Sequence, residues 1–302
     1  MLDNQIKLSV IIPVKTERSQ ALRELVQNLE AQDFPKQNLE ILPITEGTSE
    51  SAKAIGIRRA KGDVICIMAS DNLIPAESIK MFSEGHKWAM KHGSAYAGAY
   101  YHSNKMSFLD RYFALIGGND PLSYYMGKND RISYIQMQSK THEEMSFGDN
   151  CFFIRKDIIE KSDLDNYYHV DNVYDVKDLT LPYAMPLVVI HRSGSIGILR
   201  FMAKRYRYGL QHAFNPSRRW HLVDFSKPKD IWRLAWFIIA SVSLIPTLCL
   251  SIRGFLKIRD VAWFLHPIVC LATVFTYGIL MAHVCARTMF RSLFAPMAAQ
   301  RA

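Results

Sequence analysis

The sequence predicts an α/β fold: a mostly parallel sheet flanked by helices, followed by an amphipathic segment and two C-terminal transmembrane helices. Three observations carry this expectation. Strand-like apolar runs alternate with helical patterns in the front of the chain, the arrangement of a parallel sheet. Two long uncharged apolar runs stand at the back, Leu234 to Ile252 with 19 residues and Val261 to Val284 with 24. Between front and back lies a basic stretch. The expected division is 1–195 for the polar domain, 196–230 for a basic membrane-interface segment, and 231–302 for a transmembrane hairpin with a short tail.

Residues 7–12 run apolar, as a buried strand does. Leu22, Leu25, Val26 and Leu29 form a helical stripe within 18–31. Leu39 to Ile44 is a second strand, interrupted by Pro43. Thr48 or Ser49 caps a helix that ends near Ala60, and Lys61-Gly62-Asp63 makes a turn. Val64 to Ala69 is wholly apolar, the pattern of a central parallel strand. A helix over 77–92 and a strand over 95–100 follow. The stretch 103–146, rich in Tyr, Met, Ser and Asn, reads as a long active-site insertion with short helices. Residues 150–161 combine a short strand with a helix. Within 196–214, Ile196, Leu199, Phe201, Met202 and Tyr206 alternate with Arg and Lys, which suits a helix lying on a membrane surface or one closing the domain with a basic face.

About 20 apolar residues cross a bilayer core, so both final runs are long enough. Buried core helices are the alternative. Trp232, Trp236 and Trp263 stand near the starts of the runs, where interfacial aromatics belong. Pro246 and His266-Pro267 are expected to bend or interrupt the helices, which leaves a re-entrant hairpin open. Residues 200–230 carry eight basic side chains against two acids. Positive charge beside a membrane segment favours the cytoplasmic side, and no signal-peptide pattern precedes the first strand, so the polar domain is expected at the cytoplasmic face of the cell membrane. The link between the runs disagrees with a simple hairpin, because Arg253, Lys257 and Arg259 face only Asp260 there.

The net charge is +9, and the basic residues concentrate beside the membrane runs, which points to anionic headgroups rather than nucleic acid. The five cysteines show neither a disulfide framework nor metal-ligand spacing. His102, His142 and His169 have no spacing that pairs them, and Gly117-Gly118-Asn119-Asp120 reads as a turn because no strand precedes it.

In an open parallel sheet, ligands bind beyond the carboxyl ends of the strands. Three polar clusters fall there: Pro13-Val14-Lys15-Thr16-Glu17, Thr45-Glu46-Gly47-Thr48 and Ser70-Asp71-Asn72. They place a main-chain cradle and two carboxylates around one crevice, the parts a nucleotide needs.

Ser9-Val10-Ile11-Ile12-Pro13-Val14, then Glu46-Gly47-Thr48, then Ala60-Lys61-Gly62-Asp63-Val64-Ile65 running into Ser70-Asp71-Asn72, resemble the family-two glycosyltransferases of the GT-A fold, in their membrane-associated, lipid-linked glycan form. Gly148-Asp149-Asn150-Cys151-Phe152-Phe153-Ile154-Arg155-Lys156 resembles the acceptor-side segment of that family, and Asp175-Val176-Lys177-Asp178-Leu179 its later acidic motif. The resemblance spans about residues 7–210. It implies an inverting transfer of a sugar from a nucleotide-sugar donor. Pro13, Val14, Lys15, Glu17, Glu46, Gly47, Arg58, Ser70 and Asp71 would surround the donor. Asp71 would hold Mg²⁺ or Mn²⁺ on its diphosphate, with His191 as a second ligand. Asp178, then Asp175, then Asp149 are the candidates for the general base. Asn150, Arg155 and Arg205 are the candidates for the acceptor. Ala69 stands where the family has the first of two metal-site aspartates, and Lys177 where its acidic motif has Glu.

The expected acceptor is a polyprenyl-phosphate- or diphosphate-linked glycan, or another glycolipid. The other expected partners are the membrane and a second copy of the chain in a homo-oligomer. Three rival readings accompany this one. A processive polysaccharide synthase would need more membrane helices and a Gln-x-x-Arg-Trp motif, and Ser217-Arg218-Arg219-Trp220 lacks the Gln. A nucleotidyltransferase would want a Gly-rich basic loop after the first strand. A catalytically degenerate fold would serve as a membrane scaffold or sugar-nucleotide sensor.

Overall fold

The computed structural model describes residues 6–15, 20–118, 120–133, 148–192, 197–214 and 222–299. The chain divides into two compact units, Met1–Ser195 with Trp220–Leu222, and Ile196–Arg219 with Val223–Ala302.

The first unit is built on strands β1 (Leu8–Pro13), β2 (Leu39–Ile44), β3 (Val64–Met68), β4 (Asn72–Leu73), β5 (Ser94–Tyr100), β6 (Asn150–Arg155) and β7 (Tyr183–His191). Their order across the sheet is β2-β1-β3-β6-β5-β7-β4. The pairs β1–β2, β1–β3 and β5–β7 are parallel, whereas β6 runs antiparallel to both β3 and β5, and β4 antiparallel to β7. The sheet is therefore mixed rather than mostly parallel. The reason is that β6 enters the sheet at the same edge where β3 and β5 end, and so runs back against both.

Side chains alternate across the strands with period 2. Val10, Ile12, Cys66, Met68 and Phe153 pack on one face against helices α1 (Gln20–Glu30) and α3 (Met81–His92). Ile11, Ile65, Ile67, Phe152 and Ile154 pack on the other, with Ala52, Ala54 and Ile57 of α2 (Ser49–Arg59). Two short helices, α4 (Phe108–Ile116) and α5 (Pro121–Met126), occupy the expected insertion; they start at Ser107 and Asp120 caps and stop at left-handed Gly117 and Gly127. Helix α6 (Lys156–Ile159) follows β6 directly, and α7 (His169–Asp175) precedes a 3-10 turn over Lys177–Leu179. Residues 134–147 of the insertion lie outside the described residues.

In the second unit, α8 (Ile198–Phe214) is followed by α9 (Pro228–Ser243), α10 (Ile245–Lys257), a 3-10 turn over Val261–Leu265 and α11 (His266–Ala299). The run Leu234–Ile252 is not one straight helix. It breaks at Leu244, whose φ is +60°, and the axes of α9 and α10 differ by 87°. Pro246 explains the break: it has no N–H to give, and inside a continuous helix its ring would collide with the carbonyl four residues back. At roughly 1.5 Å per residue, neither arm reaches the ~30 Å of a hydrocarbon core. Among the described residues one helical stretch, Val261–Met289, is by itself long and apolar enough to cross a membrane; the bent pair meets the same criterion only if both arms are taken as one span. Pro267 does not bend it, because it falls in the first turn of α11, where an N–H has no helical partner anyway.

This unit buries both polar and apolar side chains, among them Phe237, Trp263 and Val269, and exposes many large apolar ones. Ser241, Thr247, Ser251 and Thr273 are buried, and each hydroxyl bonds a carbonyl of its own helix. Trp232, Trp236, Ile239, Val242, Ile245, Leu256, Phe275 and Ile279 are exposed.

Candidate active site

Strands β1, β2, β3, β5 and β7 all end at one edge of the sheet, and β6 begins there. At that edge Asn72 and His191 are register partners across β4 and β7. Asn72 is 1% exposed, and its side chain links three neighbours into a chain of hydrogen bonds. Its Nδ2 donates to Asn150 Oδ1, and Asn150 Nδ2 donates to the Tyr100 hydroxyl at 2.9 Å. Its Oδ1 faces His191 Nδ1 at 2.8 Å, so that ring nitrogen carries the proton. Arg131, buried, donates to the Asn150 carbonyl. Asp71 stands just before Asn72, with a half-exposed carboxylate whose Oδ1 lies 3.8 Å from His191 Nδ1. The backbone carbonyl of Asp71 accepts from Arg192 N at 3.0 Å, which ties this turn to the end of β7.

A second cluster adjoins the first through Asp149, whose carbonyl accepts from Ala69 N at 2.9 Å. Lys53 of α2 is 2% exposed and sits between two carboxylates, Glu50 at 2.7 Å and Asp149 at 2.8 Å. Glu50 also accepts from His169 N at 2.8 Å, which pins the start of α7. Burial alone would push the Lys53 ammonium down, but the carboxylates of Asp149 and Glu50 overcome it and raise its pKa. Burial likewise acts against the Asp149 carboxylate, yet Lys53 and His169 hold it below the ordinary range. His169 is driven down to about 4, first by burial and then by the nearby Lys53 charge.

The remaining expected site residues distribute unevenly. Pro13 ends β1 and Val14 and Lys15 follow it at this edge, with Val14 N bonded to the Ile44 carbonyl at the end of β2. Glu46 follows β2, but its carboxylate is engaged by both guanidinium nitrogens of Arg59 at 2.9 and 3.2 Å, which lowers its pKa. Gly47 has φ +77°, and a Cβ there would meet Ser51 Oγ at 2.3 Å; the glycine lets Thr48 and Ser51 close a capping box on α2. Ser70 completes the turn before Asp71. Arg58 instead pairs with Asp165 on the exposed side of α2. Glu17 lies outside the described residues.

The structure does not bring Asp178 or Arg155 to this edge. Arg155 ends β6 opposite Val64, the first residue of β3, five strand residues or roughly 17 Å from Asn150. Asp178 lines an open depression of about 440 Å³ with Arg155, Lys91, His92 and Leu181 at that far edge. Asp175 ends α7 with an exposed side chain. The physical reason is the antiparallel course of β6, which carries the chain away from the crevice between Asn150 and Arg155. Arg205 belongs to α8 of the second unit. Among the described residues, no three His, Cys, Asp or Glu side chains gather as a metal cluster.

Sequence reasoning missed Lys53, Glu50, Tyr100 and Arg131. The burial of Lys53 depends on its pairing with Asp149, almost a hundred positions away, which no local pattern signals.

No protein-family profile matches the chain, and no curated protein matches it in sequence. Solved structures do. The fold is similar to that of a mannosyltransferase from Pyrobaculum calidifontis in complex with GDP-mannose and Mn²⁺, with a TM-score of 0.51 at 14% identity, over 92% of this chain and 87% of that one. S. aureus TarS, as the fragment 1–349, gives 0.40 at 13% identity over 82% of this chain and 74% of that one. Its complex with UDP-GlcNAc gives 0.37 at 13% over 88% and 80%, and likenesses this weak add nothing to the argument. The chain has a GT-A-like glycosyltransferase fold.

Proposed function

We propose that this protein is a membrane-attached inverting glycosyltransferase. It takes a sugar from a nucleotide-sugar donor and passes it to a lipid-held acceptor, a polyprenyl-phosphate- or diphosphate-linked glycan or another glycolipid, at the cytoplasmic membrane face. The observation that carries the proposal is the gathering of Asp71, His191, Asn72, Asn150 and Asp149 at the edge where the parallel strands end. The outward-facing apolar side chains of the second unit support the membrane. The mannosyltransferase that shares the fold was solved with a nucleotide-sugar and Mn²⁺, which supports the donor class and the metal.

Asp71 fits a divalent cation: its carboxylate is half-exposed, and Mg²⁺ or Mn²⁺ needs only one or two protein carboxylates when substrate phosphates and water complete the shell. His191 stands beside it with its Nδ1 proton committed to Asn72, so it either offers Nε2 as the second ligand or fixes the orientation of Asp71. A bound cation supplies positive charge for the departing diphosphate. The loops after β1 and β2 hold the nucleoside. Asn72 and Asn150 hold the edge rigid, each with its side chain committed to neighbours. Of the three candidate bases, Asp149 is the one at this edge. Its ion pair with Lys53 keeps it ionised and aimed, and it takes the proton of the acceptor hydroxyl as the anomeric carbon is attacked from the face opposite the diphosphate.

The test is to incubate the solubilised full chain with UDP-, GDP- and dTDP-sugars and Mn²⁺, and to measure nucleotide release with and without polyprenyl-linked acceptor. Release from one donor, stimulated by acceptor and lost in Asp71→Ala, supports the transferase. Donor binding with no release under any acceptor favours the sensor reading, to which Ala69 in the metal motif also points. No binding of any donor overturns both.

A further inference from the structure

Helices α8 and α11 carry no Asp or Glu along their whole length. They nevertheless carry cations that lie over aromatic rings. Gly209 lets the helices approach closely, since a Cβ there would meet Leu280 Cδ2 at 2.2 Å. The Tyr206 hydroxyl shares a hydrogen bond with His283 Nδ1 beside this contact. Arg287 lies over the Phe214 ring at 4.4 Å. Arg205 lies over Phe201 at 5.2 Å and Tyr208 at 5.9 Å, with its Nε buried and without a hydrogen-bond partner. Lys204 reaches over Tyr208 from the same turn.

A half-buried guanidinium surrounded by rings and offered no carboxylate by either helix is electrostatically incomplete. Its planar fork matches the oxygens of a phosphate better than any single point acceptor. The surface around it is apolar: Leu199, Tyr208, Ile279, Met281 and Met289 are all exposed. An inorganic anion would satisfy the cations and leave that surface in water.

From this we infer that the α8–α11 contact binds a phosphorylated lipid, with Arg205 as the main cation for its phosphate and Arg287 of α11, over Phe214 further along α8, adding positive charge, and with the lipid chains lying along the apolar faces of the two helices. The inference rests on the reading of a lipid-held acceptor and names the group by which that acceptor, or the bilayer around it, is gripped.

The experiment titrates the full chain in detergent with short-chain phosphatidic acid, short-chain phosphatidylcholine and inorganic phosphate, and counts bound molecules by native mass spectrometry. Phosphatidic acid is expected to bind ahead of the other two. Arg205→Gln with Arg287→Gln should weaken it about ten-fold or more, and Arg→Lys at both positions should restore part of the loss. Helix content in each variant guards against misfolding. Equal binding of inorganic phosphate, or unchanged binding in the Gln variant, overturns the inference. Nucleotide-sugar binding measured on the same samples reports separately on the proposed transferase, so either idea can fail alone.

Discussion

His191 and Asn72, paired across the short ladder of β4 and β7, hydrogen-bond through their side chains at 2.8 Å, and this bond sets the imidazole 3.8 Å from the Asp71 carboxylate. Groups that orient a metal ligand typically matter to binding by about 10–100-fold. Asn72→Leu keeps the volume and removes the bond. Mn²⁺-dependent donor binding, followed by calorimetry, should weaken about ten-fold. Unchanged Mn²⁺ dependence would show that His191 plays no part in the metal site.

Asp149 and Asp178 separate two versions of the chemistry. Asp149→Asn should lower kcat by about 10²–10⁴, the usual contribution of a general base, with donor affinity nearly intact. Asp178→Asn, at the opposite edge of the sheet, should leave kcat within about two-fold, as befits an exposed residue far from the reacting atoms. The reverse ranking would mean that the crevice has been placed at the wrong end of the strands.

Lys53 holds two carboxylates from a buried position. Removing one partner of such a group leaves uncompensated charge, and Lys53→Met should destabilise the full chain by about 3–5 kcal/mol in urea. Replacing Lys53, Glu50 and Asp149 together by apolar residues should recover much of that loss while abolishing activity. A single Lys53→Met chain as stable as the parent would contradict the ion-pair assignment.

Acid sensitivity should trace to His169. Its folded pKa of about 4 lies below the ordinary 6.5, so the unfolded chain binds the proton first as the pH falls. Stability is then lost between pH 6.5 and 4, by about 3 kcal/mol at the lower limit. Asp149 contributes in the same direction only below its ordinary 3.8, because its folded pKa is depressed further still. Urea midpoints of the parent chain should fall across that window, and His169→Gln should flatten the slope. A slope left intact by the substitution would assign the titration to another group.

Much of the sheet was legible because its strands are uninterrupted apolar runs between turn residues: β1, β3 and β5 lie within two residues of their expected limits. Strand β7 was not read at all. Pro186 breaks its pattern, and the strand tolerates the proline because it pairs with β5 on one side and meets β4 only at its last two residues. The loops around Asp71 were readable from their polar residues after each strand. The acidic motif was not placed, since strand direction is a long-range property: nothing within Asn150–Arg155 tells which way it crosses the sheet. The break at Leu244 was half legible, with Pro246 marking an interruption but not its angle.

The apolar exterior of the second unit has a calorimetric consequence. Unfolding the first unit exposes a hydrocarbon core to water and must raise the heat capacity steeply. The second unit has less apolar surface left to expose, because many of its large apolar side chains, Trp232, Ile245 and Phe275 among them, are exposed already. Heating should then resolve two transitions, one with a large heat-capacity step and one with a smaller step, and a single melting temperature will not describe this chain.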